Sequence, residues 1–140
     1  MSLILPPFDS ESSRESVKSA QDLWNKNDIK SIISGYSSDG FYMRYRGIEI
    51  TNRKDLEAAL ILKWNKELNY TIEKKLLLFS NDKITVQFIY EWTDSNNQDT
   101  FYRTFGNEFW IVNNLGEIIY HTISSNELLI QKEDLRLIKL

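Results

Sequence analysis

The spacing of apolar residues changes at Tyr70, and this change constrains the fold more than any other feature of the chain. From Tyr70 onward, apolar and polar side chains alternate in four long stretches, residues 70–79, 83–94, 100–112 and 117–130. The short segments between these stretches are rich in Asn, Asp, Ser and Gly, which are typical of turns. Alternation of this kind predicts half-buried strands, so the second half of the chain is predicted to form an antiparallel meander.

The first half of the chain has helical spacing instead. Apolar residues recur every three or four positions in residues 9–28, 29–36 and 53–68, which predicts three helices. Residues 41–50 are β-prone and predict a short strand or hairpin, and residues 131–140 predict a short helical tail. Helices that precede a long antiparallel sheet are typical of an α+β protein.

A chain of 140 residues predicts a single domain that spans residues 1–140 and buries a sizeable core without disulfides or metals. One face of the sheet must pack on the helices, and long twisted strands curl. We therefore expect a cone-shaped α+β fold, with a curved antiparallel sheet of four to six strands, three N-terminal helices and a cavity at the wide end. The aromatic share of 13% is high enough to supply both a core and the lining of that cavity.

Composition excludes several classes of site and partner. The chain has no cysteine, and His121 is its one histidine, which argues against thiolate chemistry, Cys-based zinc sites and multi-His metal sites. The net charge is −3 and no Lys/Arg cluster stands out, so a nucleic-acid partner is not expected. The start of the chain has neither a basic leader nor a long apolar run, which predicts a soluble, cytoplasmic protein without a membrane partner. No cofactor is indicated.

Several stretches of the sequence resemble one protein superfamily. The segments "ELNYTIEKKLLLFSNDKITVQFIYEW" (67–92), "FYRTFGNEFW" (101–110) and "SSNELLI" (124–130) are similar to an uncharacterised branch of the nuclear transport factor 2-like, or SnoaL-like, superfamily. "AQDLWNKNDIKSIISGYSSDG" (20–40) is similar to the looser start of that superfamily. The resemblance implies the cone-shaped fold and a pocket, and it implies no assigned reaction.

The resemblance also points to a pocket acid. Side chains alternate across a strand, so Glu108 and Trp110 share one face of the stretch 100–110, while Arg103 and Asn107 share the other. Alignment with the ketosteroid isomerases of the superfamily places Glu108 where those enzymes keep a protonated aspartate. We therefore expect Glu108 to face the cavity and, among apolar rings, to be neutral and able to donate a proton.

The same alignment supplies two further catalytic candidates and a set of ligand-binding residues. Arg44 falls at the position of the isomerase base, although a guanidinium cannot abstract a proton, so we expect it to hold an anionic oxygen; His121 would be the proton-transfer counterpart of Glu108. The position of the isomerase tyrosine falls at Ala20, so the hydroxyl donor of that tyrosine is missing. The expected ligand-binding residues are Trp24, Tyr36, Tyr42, Trp64, Phe88, Tyr90, Trp92, Tyr102, Thr104, Trp110, Ile123 and Ser125.

Each candidate also has a structural interpretation. Glu108 and Arg44 could form a buried ion pair, His121 could be a hydrogen-bonded wall residue, and the tryptophans could be core packing. The charged run at 73–75 is predicted to be a solvated strand face.

Three functions remain open. The first is a small-molecule pocket protein, with isomerase, cyclase or hydratase-like chemistry on an unknown apolar or oxygen-bearing molecule. The second is a ligand-binding module without chemistry, and the third is a dimeric protein–protein adaptor. Phe101, Phe105 and Phe109 would form an exposed apolar row on the convex face of the sheet, which predicts a homodimer through that face.

Overall fold

Residues 3–140, which are the part that the computed structural model describes, form the α+β arrangement that the change of period predicts. The helices and strands are α1 (Ser10–Asn25), α2 (Ile29–Ser34), β1 (Tyr42–Tyr45), β2 (Ile48–Ile50), α3 (Arg53–Lys66), β3 (Glu67–Phe79), β4 (Lys83–Asp94), β5 (Asn97–Val112) and β6 (Ile118–Ile130). Each helix begins where a side chain can cap it: Asp9, Asp28 and Asn52 accept a hydrogen bond from a backbone N–H of the first turn.

Within the described residues, the strands form one six-stranded sheet in the order β2-β1-β6-β5-β4-β3. Strand pairs are antiparallel except for β1 and β6, which run parallel. The inner face of the sheet packs against the helices, with Trp24, Leu56 and Leu60 in one core cluster with Phe88 and Trp92. A second cluster joins the start of α1 to the far ends of β4 and β5.

The register assigns the side chains of β5 to the two faces as their alternation predicts. Glu108 pairs with Val86 and Ile123 and is 4% exposed on the inner face. Arg103 and Asn107 lie on the outer face, opposite Glu91 and Gln87. Glu108 therefore lies on the inner face of the sheet, as the hypothesis of a pocket acid requires.

An irregularity in β3 changes which residues of that strand face inward. The pairing with β4 shifts between Leu68 and Thr71, where Asn69 has a φ of 56°. Because one extra residue is inserted there, Glu67 and Lys74 lie on the same inner face although their positions differ in parity. The prediction that residues 73–75 form a solvated face is therefore wrong for Lys74, whose side chain is 3% exposed.

The last ten residues fold over the outer face of the sheet. The predicted helical tail is reduced to a single 3₁₀ turn, Lys132–Asp134, and an extended segment follows it. Glu91 is fully buried there and accepts hydrogen bonds from the backbone N–H groups of residues 136–138 and from the guanidinium of Arg103. The segment is extended because these backbone donors bind a side chain and are unavailable for a helix.

The tail divides the predicted apolar row on the outer face. Phe101 is 9% exposed, whereas Phe105 remains 42% exposed. Phe109 is half-buried and packs edge-on against Tyr120. The homodimer through this face stays a prediction.

Candidate functional site

A cavity of about 190 Å³ lies between α1, α2 and the inner face of the sheet. Most of its lining is apolar, and four side chains that can exchange protons or carry charge form part of the wall. The lining includes Ile4, Phe8, Ala20, Leu23, Trp24, Ile32, Trp110, Val112 and Ile118 with Tyr36, Lys74, Glu108 and His121. Polar groups on an otherwise apolar wall are typical of small-molecule sites.

The four polar side chains form one continuous chain of hydrogen bonds, which we call the relay (Tyr36, His121, Glu108 and Lys74). Tyr36 Oη lies 2.7 Å from His121 Nδ1, and His121 Nε2 lies 2.7 Å from Glu108 Oε1. Lys74 Nζ donates to Glu108 Oε2 at 2.5 Å. Tyr36, Glu108 and His121 are buried, so the whole relay is shielded from bulk water.

Glu108 is ionised in this setting, contrary to the expectation of a neutral acid. Burial alone would raise the pKa of Glu108, but the charge of Lys74 and the hydrogen bond from His121 outweigh it and lower that pKa to about 2. Glu108 is therefore an acceptor in the relay, and the role of proton donor that the resemblance implies for it is wrong at neutral pH.

The ionised carboxylate fixes the positions of the protons in the relay. A carboxylate accepts only, so His121 Nε2 carries a hydrogen and donates it to Glu108. In the neutral ring His121 Nδ1 is then an acceptor, and the hydroxyl of Tyr36 donates to it. Burial, with a smaller contribution from the charge of Glu108, raises the pKa of Tyr36 above its ordinary value, so this phenol keeps its proton.

Aromatic rings hold the charged end of the relay in position. Lys74 Nζ lies 5.2 Å from the ring centre of Trp24 and 5.9 Å from that of Trp110. His121 stacks on the ring of Tyr36, and its edge meets Trp110. These rings also screen the Lys74–Glu108 pair from water, which strengthens the pair.

Arg44 does not belong to this site. Alternation in β1 points the neighbouring Met43 inward, where it is 1% exposed, so Arg44 lies exposed on the outer face beside Thr122. The predicted Glu108–Arg44 contact is therefore wrong, and Lys74 supplies the cation that pairs with Glu108. Tyr42, predicted to bind ligand, also lies on the outer face, where it stacks on Tyr120.

The other predicted ligand-binding residues divide into three groups. Trp24, Tyr36 and Trp110 line the cavity of the relay. Phe88, Tyr90, Ile123 and Ser125 line a second, smaller cavity of about 30 Å³, which shares Trp24, Lys74 and Glu108 with the first. The remaining predicted residues pack in or near the core and line neither cavity: Trp64, Trp92, Tyr102 and Thr104.

The second cavity is bordered by a polar cluster that the sequence did not reveal, which we call the Lys63 cluster (Arg46, Lys63, Glu67, Tyr90, with Tyr45 beside them). Lys63 Nζ donates to Glu67 Oε1 at 2.8 Å and to Tyr90 Oη at 3.2 Å. Arg46 donates to Glu67 Oε2 and to Tyr90 Oη, each at 2.8 Å.

The sequence carries a partial signal for the missed residues. Lys74 alternates with Ile72 and Leu76, two apolar residues of the same strand, so their common face could have been identified as the buried one. Glu67 and Lys63 lie at the junction of α3 and β3, where helical spacing ends and the bulge of β3 follows. No periodic pattern extends across such a junction.

Comparison with known proteins identifies the family. The family model described as "Protein of unknown function (DUF1348)" matches residues 6–138, which is nearly the whole chain. The chain belongs to the DUF1348 family. No curated protein is detectably similar to this DUF1348 protein in sequence.

Solved structures show that this DUF1348 protein has the nuclear transport factor 2-like fold. SalBIII, described as an epoxide hydrolase/cyclase-like enzyme in pyran ring formation in polyether salinomycin, matches with a TM-score of 0.71 and 16% identity, over 84% of this chain and 93% of its own. AclR, a putative hydroxylase from Streptomyces galilaeus, matches with a TM-score of 0.71 and 14% identity, over 84% of this chain and 91% of its own. A putative polyketide cyclase from Xanthomonas campestris matches with a TM-score of 0.65 and 15% identity, over 81% of this chain and 90% of its own. At these identities the likeness concerns the fold.

Two broader observations concern residues 3–140 of this DUF1348 protein. None of the helices in this range is long and apolar enough to cross a membrane. No group of three or more His, Asp or Glu side chains in the range could hold a metal ion.

Proposed function

We propose that the protein is a small-molecule enzyme that activates a hydroxyl group or a water molecule for attack on an apolar, oxygen-bearing substrate. The observation that carries this proposal is the buried relay on the wall of an apolar cavity, with an ionised carboxylate between His121 and Lys74. A histidine between a carboxylate and a hydroxyl can accept a proton during a reaction, and the carboxylate stabilises the imidazolium that forms.

In this proposal Tyr36 is the catalytic residue that touches the substrate. A substrate hydroxyl or a water donates its proton to Tyr36 Oη as its oxygen attacks carbon, and the phenol proton passes to His121 Nδ1. The imidazolium remains hydrogen-bonded to the Glu108 carboxylate. Tyr36 stays neutral throughout, consistent with the raised pKa of its buried phenol.

Lys74 has the complementary role. Its ammonium has three N–H groups, and the bond to Glu108 uses one of them. A second N–H can bind the oxygen that gains negative charge when a carbon–oxygen bond of the substrate breaks, as in the opening of an epoxide ring. That oxygen then takes a proton from Tyr36 Oη, and Tyr36 recovers one from His121 Nδ1, so both residues return to their starting protonation.

The likeness to SalBIII and to polyketide cyclases supports this class of reaction. Proteins of the same fold are described as an epoxide hydrolase/cyclase-like enzyme, a putative polyketide cyclase and a putative hydroxylase. We therefore choose epoxides as the first substrates to test.

The test compares Tyr36→Phe with the wild-type protein in the opening of cyclohexene oxide and styrene oxide, followed by chromatography of the diol. Loss of the hydroxyl removes the proton acceptor, so kcat should fall by about 100-fold or more. Tyr42→Phe is the matched control, because Tyr42 lies on the outer face, and it should retain the wild-type rate. Unchanged turnover in Tyr36→Phe would contradict the relay.

A ligand-binding role without chemistry is the second candidate. It is favoured by the fact that both oxygens of Glu108 and both ring nitrogens of His121 already have partners within the protein. It predicts that molecules that bind in the cavity are recovered unaltered. Saturable binding of the epoxides without diol formation in the wild-type protein would favour this candidate over the enzyme.

A further inference from the structure

The second cavity contains more hydrogen-bond donors than acceptors. Tyr45 Oη is buried and has no hydrogen-bond partner. Lys63 Nζ donates to Glu67 Oε1 and to Tyr90 Oη, which uses two of its three N–H groups. Buried polar groups are nearly always satisfied, so an orphaned hydroxyl next to a cavity indicates a partner that the polypeptide does not provide. The ammonium of Lys63 can only donate and the hydroxyl of Tyr45 can donate, so an acceptor is the partner that satisfies both groups.

The charges around the cavity indicate that the acceptor is an anion. Lys63 and Arg46 are both bound to a single buried carboxylate, that of Glu67. Arg46 also pairs with Glu127 at 3.7 Å, and both of these side chains are partly exposed to solvent, so the buried cation of the cluster is Lys63. Lys74 is already neutralised by Glu108. Two cations of the Lys63 cluster thus share one buried anion, and a second anion would balance them.

The size of the cavity limits the anionic group. A volume of about 30 Å³ corresponds to roughly two water-sized positions, at about 10 to 15 Å³ each. Two oxygen atoms of a carboxylate occupy such a space. Ser125, which lines the cavity, is exposed, so the remainder of a bound molecule can point toward solvent on that side.

We propose that the second cavity is a binding site for the carboxylate group of a small organic acid. One oxygen accepts from Tyr45 Oη, the other accepts from the third N–H of Lys63, and the Lys63 ammonium also provides the positive charge. This site is distinct from the relay, and the proposal does not depend on the proposed reaction. The two cavities meet at the Lys74–Glu108 pair, so an acid bound in one lies next to a substrate bound in the other.

The affinity of this site should depend on pH. Burial lowers the pKa of Lys63 to about 8, against the opposing charge of Glu67. The other titratable groups that face Lys63 are Arg46 and Lys74 with the phenols of Tyr45, Tyr70 and Tyr90. Burial raises the pKa of each of these phenols, so they keep their protons over this range. Carboxylate affinity should therefore decrease as the pH rises above about 8 and Lys63 loses its charge.

The experiment titrates the full chain with butyrate and follows binding by calorimetry and by the melting temperature. The wild-type protein should bind butyrate saturably in the millimolar range or below and should bind 1-butanol and chloride far more weakly. Tyr45→Phe removes the unpartnered hydroxyl alone and should weaken butyrate binding about 10-fold, the range for a hydrogen bond to a charged group. Tyr42→Phe is the matched tyrosine control and should bind as the wild type does.

Three outcomes would overturn the proposal: no saturable binding of butyrate, equal affinity for 1-butanol, or wild-type affinity in Tyr45→Phe. The melting temperature of each variant without ligand shows whether it is folded. Loss of an unpartnered hydroxyl should leave stability nearly unchanged. Because the readout is binding and not turnover, this proposal and that of the relay can fail separately.

Discussion

Glu108 shows how far a single residue can be predicted from its sequence context. Alternation along β5 places it on the inner face, and its apolar neighbours predict that it loses hydration. Its ionisation was not predicted, because it depends on Lys74 of another strand, which the charged run at 73–75 predicts to lie on a solvated face. Burial favours the neutral acid, and the ammonium and imidazole on either side favour the carboxylate; the second effect is larger.

Removal of the ammonium should therefore be costly. In Lys74→Met the carboxylate of Glu108 loses its charged partner, and breaking a buried pair costs about 3 to 5 kcal/mol. Lys75→Met is the matched control, because Lys75 is exposed on the outer face, and it should cost about 0.5 kcal/mol or less. Urea denaturation at pH 7 measures the free energy of unfolding of both variants. Equal destabilisation by the two substitutions would contradict a stabilising Lys74–Glu108 pair.

The same pair of variants should show a pH dependence. The wild-type pKa of Glu108 lies near 2, below its ordinary value of 4.5, so the stability it contributes is complete above pH 4.5 and decreases as the pH falls toward 2. Lys74→Met has already lost most of this contribution. The gap in unfolding free energy between the wild type and Lys74→Met should therefore narrow from pH 5 to pH 3.

At the scale of elements, the long periodic segments were predictable and the irregular ones were not. The four strands and three helices follow from periodicity, because each repeats its pattern over several turns or pleats. The bulge at Asn69, the inward turn of Arg46 at the β1–β2 hairpin and the extended tail do not repeat. The bulge places Glu67 on the same face as Lys74, and the turn of Arg46 completes the Lys63 cluster, whereas the tail covers part of the outer face.

At Gly106 the backbone of β6 leaves no room for a side chain on β5. A Cβ atom at this position would lie 2.0 Å from the carbonyl oxygen of Ser124 and 2.9 Å from Cα of Ser125, both of them backbone atoms that cannot rotate away. Gly106→Ala should therefore destabilise the protein by about 3 kcal/mol or more. Asn107→Ala, at the neighbouring exposed position, should cost about 0.5 kcal/mol or less. Thermal unfolding compares the stability of the two variants. Equal stability would contradict the predicted clash between a Cβ atom at position 106 and the backbone of β6.

The whole molecule combines a predictable fold with an unpredicted interior. The change of period identifies the cone, and structures with 14–16% identity share it. Its polar interior contains two ionic clusters, one on each of two adjoining cavities. On the outer face, Glu91 anchors the tail and so determines how much of the sheet a partner could cover.

The protonation state of Glu108 tests the central claim most directly. In protein labelled with ¹³C at the glutamate carboxyl carbons, the signal missing from Glu108→Gln identifies this residue. A pH titration should show this signal constant from pH 8 down to pH 4 and changing only toward the pKa of about 2. A midpoint between about pH 5 and 8, the range of a buried carboxyl without a charged partner, would contradict the ionised relay.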